Sequence, residues 1–360
     1  MPMFLRSLLA GALVVGSAAT AQEAVPPLDP LDVNPAQAEL GKRLFYDTRL
    51  SGDTSLSCSS CHQADKAFTD GEALSAAYSG GAHFRNAPTL ANVGYRAAWL
   101  HDGKLGTNLN DVAREMITET HMMNMDMRIM QERFKQDPVY VEMFEAAGYG
   151  EPSNGGARNA LQAFMKTIVS RNAPIDTGEM SASAQRGQGI FEGKGQCSTC
   201  HAGERFTDDQ PHNTGVPNNP DIWNDPARHS VFVSYAKFMG VENYMNIRED
   251  LGAYVRTHEE HTKRTFLTPT LRELTYTAPY MHNGMIATLE DVIEFYDAGG
   301  GDDVNKDPIL KPLGLKPSEK ADLLAFLQSL SGESFDVDAY VWSADDYGYE
   351  LIEDWRNVNN

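Results

Sequence analysis

Five residues, Cys58-Ser59-Ser60-Cys61-His62, recur as Cys197-Ser198-Thr199-Cys200-His201, and the two copies use all four cysteines of the chain. Cys-x-x-Cys-His is the attachment pattern of a c-type haem. The thiols add to the vinyl groups, and the adjoining imidazole is placed to become the proximal iron ligand. A redox dithiol has no need of that histidine, and zinc would want thiolates the sequence does not have. Two covalent haems c are therefore expected, one held by Cys58, Cys61 and His62, the other by Cys197, Cys200 and His201. What each iron can do depends on the group in its sixth position.

Helix signals flank each motif. A pattern opening at Pro35 puts Leu40, Leu44 and Phe45 on one face. Further helical stretches are predicted from about Asn110 to Glu132, Val139 to Ala147 and Ala157 to Ser170. Asn172-Ala173-Pro174 breaks the pattern. Helices then run from about Ala182 to Phe191 and from Pro317 to Leu330, with Gly332 as a stop. Residues 64–98 look like a long loop wrapped round a cofactor, and 208–265 like a polar excursion with scattered aromatics. No convincing strand pattern appears, so the fold class is all-α.

The halves repeat one another. Phe68-Thr69-Asp70 follows the first motif as Phe206-Thr207-Asp208 follows the second. Pro88-Thr89-Leu90 precedes His101-Asp102-Gly103, and Pro269-Thr270-Leu271 precedes His282-Asn283-Gly284, with twelve residues from Thr to His in both. An apolar helix start comes next, Leu109 to Val112 and Leu289 to Val292. Such repetition marks a duplicated unit. The chain is expected to be two fused cytochrome c-like domains, 22–175 and 176–332. An acidic, aromatic tail follows at 333–360.

Residues 1–21 have the form of a cleavable export signal: Arg6, an apolar run from Leu8 to Val15, and Ala19-Thr20-Ala21. The apolar run is too short to span a bilayer. A bacterial periplasm without a stable membrane anchor is the expected location. The chain carries a formal charge of −20, or −21 without Arg6. That acidity opposes nucleic acid and anionic membrane surfaces and would steer a basic protein partner.

With both haem motifs go Arg85-Asn86-Ala87-Pro88-Thr89, His212-Asn213-Thr214-Gly215-Val216-Pro217, and Leu271 through Tyr296, including Thr277-Ala278-Pro279-Tyr280-Met281-His282-Asn283-Gly284. In these the chain resembles the bacterial di-haem cytochrome c peroxidase and MauG family, from about Leu40 to Leu330. The resemblance implies one haem that reacts with hydrogen peroxide and a second that relays electrons. In the peroxidases the second haem takes a Met fourteen residues after the His282 position. Here that residue is Tyr296, as in MauG-type proteins. A thioether favours the reduced iron and raises its potential. An anionic phenolate favours the oxidised states, so a His201/Tyr296 haem suits storage of oxidising equivalents. Resting peroxidases often carry a further His sixteen residues after the first proximal one. Here that position is Tyr78, with His83 displaced by five, which leaves the first haem open. Met116 stands at the repeat-equivalent of Tyr296 as a rival ligand.

The resemblance also implies a distal base, a Glu in the family. His121 falls closest to it and Glu119 is the alternative. A structural calcium is implied at Asn86, Thr277 and Pro279, whose oxygen donors suit a hard cation. Two features depart from the family. His101, not Trp, precedes Asp102-Gly103, with Trp99 two residues earlier. Gly195 stands where MauG has a surface Trp, so the MauG substrate and its docking route are not carried over. The run Met122, Met123, Met125, Met127, Met130 is read as lining apolar space beside the distal pocket rather than as a copper site. Three functions are compatible with these residues. One is a peroxide-using, MauG-like oxidation of a periplasmic partner protein. The second is peroxide detoxification with electrons from a small cytochrome or cupredoxin. The third is a non-catalytic electron carrier, against which the open first haem argues.

Overall fold

The computed structural model describes residues 28–106 and 108–335. The export signal and the tail beyond Phe335 lie outside the described residues. Helix α1 (Pro35–Tyr46) starts where the sequence predicts, because Asn34 accepts hydrogen bonds from the Ala36 and Gln37 amides and Pro35 fills the first position. The predicted helix from Asn110 to Glu132 is instead two. Helix α2 (Leu109–Thr118) stops, Asn124 turns with φ 46°, and α3 (Met127–Lys135) restarts on an Asp126 cap. The Met125 amide returns to Ile117 O at 2.9 Å, closing that turn. Helices α4 (Pro138–Ala146) and α5 (Asn154–Met165) complete the first half.

In the second half come α6 (Pro174–Thr177) and α7 (Ala182–Glu192). The stretch predicted as an excursion holds α8 (Asp221–Asn224), α9 (Pro226–Phe238) and α10 (Tyr254–Thr257). Helices α11 (Leu289–Asp297) and α12 (Pro317–Gln328) follow. Strands among the described residues are three ribbons of two-residue strands: β1 (Ala76–Ala77) with β2 (Gly81–Ala82), β3 (Ala98–Trp99) with β4 (Leu105–Gly106), and β5 (Pro211–His212) with β6 (Phe266–Leu267). Among the described residues no helix is long and apolar enough to cross a membrane.

The duplication is visible in the packing. Helix α1 crosses α5 at Gly41, where an added Cβ would lie 1.9 Å from Ala160 O and 2.9 Å from Phe164 Cβ. Helix α7 crosses α12 at Gly187, where a Cβ would lie 2.0 Å from Asp322 O and 2.8 Å from Phe326 Cβ. One turn on, Phe45 meets Phe68 and Phe164 at ring distances of 6.1 and 5.1 Å. In the other half Phe191 meets Phe206 and Phe326 at 6.1 and 5.0 Å. Each triad closes a core. The first runs from Leu40 to Ile168 and takes in Phe335, and the second, which includes Ala173 and Ile175, runs to Leu330.

Helix α9 was not predicted because its apolar residues answer to a distant partner. Phe232, Tyr235 and Ala236 bury against Leu74 and Phe84 of the first half in a third cluster. Beside it Arg85 is forked onto Asp250 at 2.6 and 2.7 Å and donates to Asp102 at 2.6 Å, while Tyr235 donates to the same Asp102 carboxylate at 2.5 Å. This buried charge cluster ties the first half to the excursion.

Candidate metal centres

Each Cys-x-x-Cys-His sits on a single 3-10 turn, Cys58–Ser60 or Cys197–Thr199, whose hydrogen bonds return the Cys61, His62, Cys200 and His201 amides to the first cysteine's carbonyl. This brings both thiols and the imidazole onto one short arc. His62 Nδ1 donates to Phe68 O at 2.9 Å, and His201 Nδ1 donates to Phe206 O at 2.9 Å. Both phenylalanines adopt positive φ, 60° and 53°, which turns their carbonyls toward the imidazoles. With Nδ1 donating, Nε2 keeps its lone pair, as an iron ligand requires. Burial also lowers the pKa of both histidines, which keeps them neutral. The phenylalanines are the ones in the core triads, so helix crossing, ring packing and ligand orientation form one chain of contacts. Thr89 Oγ1 to Ala67 O (2.5 Å) and Thr270 Oγ1 to Arg205 O (2.7 Å) pin the same loops.

The second motif opens on a cavity of about 300 Å³ lined by Cys197, Cys200, His201, Tyr296, Ile293 and Leu327, among others. Its walls are mainly apolar, which suits a flat, largely hydrophobic group. Tyr296 is the eighth residue after the Thr288 cap of α11. Burial pushes its phenol up to about 12, the neighbouring Cys197 adds to this, and Thr214 opposes it. A phenol so placed ionises when a cation stands beside it. His212 lies between Asp307 (2.8 Å) and Asp208 (3.0 Å). It is pushed up to about 10, first by Cys200 and then by those carboxylates. Cys200, Asp208 and His212 have ligand atoms within 4.8 Å of one another, as a metal site would. A Cys200 thioether removes the sulfur from that grouping and leaves His212 to the carboxylates.

The first half places its sequence candidates differently. Met116 is the eighth residue after the Asn108 cap of α2, the register of Tyr296 on α11, and is half-buried. His121 and Glu119 lie together on the turn between α2 and α3, with Nε2 and Oε2 3.5 Å apart and side chains 14 % and 24 % exposed. Burial lowers the His121 pKa, with Glu119 opposing. His83, set aside in the sequence as out of register, is close by. The β1–β2 ribbon folds the loop back, the Tyr78 amide bonds His121 O at 3.2 Å, and the His83 and His121 rings come within 6.3 Å. The missed signal is that ribbon, too short to leave a periodic pattern. Three of the five methionines turn inward: Met123, Met125 and Met130 are buried in the first core, while Met122 and Met127 are half-buried.

The profile of the family described as di-haem cytochrome c peroxidase matches residues 35–183. Cytochrome-c peroxidase IdrP2 of Denitromonas iodatirespirans is 46 % identical over 311 residues, 84 % of each chain. Methylamine utilization protein MauG of Methylorubrum extorquens is 32 % identical over 86 % of this chain and 82 % of its own. A crystal structure of a MauG-like protein associated with microbial copper homeostasis superposes with TM-score 0.72 at 29 % identity, covering 91 % of this chain and 97 % of that one. The chain belongs to the di-haem cytochrome c peroxidase/MauG family. It is a peroxidase-type oxidoreductase with two haem cofactors.

Within this di-haem peroxidase, the residues between the halves are histidines rather than a tryptophan. Trp99 is turned into the first core and donates from Nε1 to Val93 O at 3.2 Å. His101 and His282 line the second cavity with ring centres 6.5 Å apart, and His282 stacks on Phe266 at 3.6 Å. His101 Nε2 donates to Asn86 O at 3.1 Å. The Asn86 amide nitrogen donates to Met281 O at 2.7 Å and approaches Pro279 O at 3.5 Å.

Proposed function

We propose that the protein uses hydrogen peroxide at the His62 haem and holds the oxidising equivalents at a His201/Tyr296 haem, for oxidation of a periplasmic partner protein. The observation that carries the reading is Tyr296, on the register of α11 that faces the second cavity. The haems, held by Cys58, Cys61 and His62 and by Cys197, Cys200, His201 and Tyr296, would supply the electrons that reduce peroxide. The chain's own residues do the rest. His121, neutral because it is half-buried, takes a proton from the near oxygen of peroxide and returns it to the far one, with Glu119 as the alternative group. Met123 and Met125 keep bulk water from that side. Tyr296 would hold the second haem's iron and, as a phenolate, would favour its oxidised form. A calcium ion would take Asn86 Oδ1 with the Thr277 and Pro279 carbonyls. That requires the Asn86 amide to turn its oxygen toward Pro279 O, which already lies 3.5 Å from the side chain.

Detoxification of peroxide with electrons from a small cytochrome or cupredoxin is the second reading, favoured by relatives named cytochrome-c peroxidase. Substitution of Tyr296 separates the two. In the native protein the spectral change produced by peroxide should persist long after mixing, and turnover with a reduced small cytochrome should be slow. Tyr296→Met should shorten the first and raise the second. If the substitution alters neither, the detoxification reading stands.

A further inference from the structure

Two guanidiniums and one carboxylate meet behind the wall of the second cavity, and their hydrogen bonds do not close. Arg205 Nη2 donates to Asp209 Oδ2 at 2.7 Å. Arg96 Nε is 3.9 Å from Asp209 Oδ1, too far for a hydrogen bond. Arg96 Nε, Arg205 Nη1 and Asp209 Oδ1 are all buried without a partner. Buried polar atoms are nearly always paired, so these orphans mark a cluster whose own pair, Arg96 Nε and Asp209 Oδ1, is held just out of reach. Two guanidiniums against one carboxylate leave a net positive charge, and the terminal nitrogens of Arg96 are free to take an anion. Arg96 itself lines the cavity that holds Cys200, His201 and Tyr296. Its side chain is only 11 % exposed, and it donates no hydrogen bond to any described residue.

We infer that Arg96, a residue of the first half, is the anchor for a carboxylate side chain of the second half's haem. A planar fork of N–H donors matches a carboxylate in a way a lysine does not. With its terminal nitrogens on the carboxylate, Arg96 leaves Nε to close on Asp209 Oδ1, and Arg205 holds that aspartate from behind. The arrangement is particular to the second site. Phe68 and Phe206 are repeat partners, so the position of Arg205 is Ala67 in the first half. The second haem is thereby held by cysteines of one half and an arginine of the other.

The test uses the full-length protein carrying both haems. Arg96→Gln and Arg96→Lys are compared with the native chain by redox titration and by resonance Raman in the propionate bending region. Arg96→Gln should lower the midpoint of the second haem, because a balancing cation is lost, and shift one propionate band while the first haem stays unchanged. Arg96→Lys keeps the charge but not the fork, so the band should shift with a smaller change in midpoint. An unchanged second midpoint and unchanged bands in Arg96→Gln overturn the inference, as does an equal shift at both haems. Should Arg96→Gln fail to retain two haems per chain, Arg96→Lys decides by the band alone. None of these readouts involves peroxide turnover, so they stand apart from the proposed function.

Discussion

The two halves share a scaffold and differ in the side chains set on and beyond one matching helix of each. Gly41 and Gly187 allow the same helix crossing, Phe45 and Phe191 build the same ring triads, and Phe68 and Phe206 orient the same Nδ1 hydrogen bond. The likeness ends at the residues carried by and beyond the matching helices α2 and α11. At one register of matching helices stand Met116 and Tyr296. Beyond α2 the chain turns through Glu119 and His121, and beyond α11 it runs directly into Gly299 and Gly300. Duplication thus repeated the proximal histidine and its support, while the residues at and beyond the matching helices diverged. That separation makes the comparison open to direct attack.

The largest expected effect is at the distal base. General acid–base catalysis is worth roughly 10²–10⁴-fold, so His121→Leu should slow peroxide consumption by about that factor while Glu119→Gln changes it little. The reverse result moves the base to Glu119. Stopped-flow reaction of the ferric protein with peroxide gives the rate. A neutral His121 also predicts the pH profile. Burial holds its pKa below the ordinary value of about 6.5. The base form therefore persists below pH 6.5, and the rate should fall only as pH drops through the depressed value. The same group is charged at higher pH in the unfolded chain, so it subtracts stability only on the acid side.

A smaller effect tests the shared scaffold. Gly41→Ala and Gly187→Ala each drive a Cβ into a backbone carbonyl of the facing helix. Overpacking of this kind costs about 1–3 kcal/mol, and the two variants should lower the unfolding midpoint of the holoprotein to a similar extent. A large drop from one and none from the other would show that the halves do not bear their crossings equally.

Local chemistry made much of this legible in the sequence. The haem motifs, the twelve-residue spacings and the Pro35 and Pro317 helix starts all lie within a turn or two of the residues that cause them. What escaped depends on distant partners. Helix α9 has no strong apolar face of its own, although Asp225-Pro226 is a sound start signal, and its buried residues pack on Phe84. The break between α2 and α3 rests on Asn124 in a left-handed turn within an otherwise helical run. His83 joins His121, and Arg96 joins Asp209, only because the chain folds back across more than thirty and one hundred residues respectively. Pairings of that range leave no periodic trace.

The smallest expected effect is the sharpest on the comparison itself. Met116 shares the register of Tyr296, so the scaffold alone would make it the sixth ligand of the first haem. A thioether there would close the iron to peroxide and give a six-coordinate, low-spin ferric signal. The open-site reading requires the opposite. Met116→Leu nearly conserves volume and should cost under about 1.5 kcal/mol, leaving the ferric electron paramagnetic resonance spectrum and the peroxide rate as they are. A first haem that turns from low-spin to high-spin on this substitution would mean that both halves carry a helix-borne ligand. The difference between them would then lie in ligand strength, a displaceable thioether against a fixed phenolate, rather than in one site being open and the other closed.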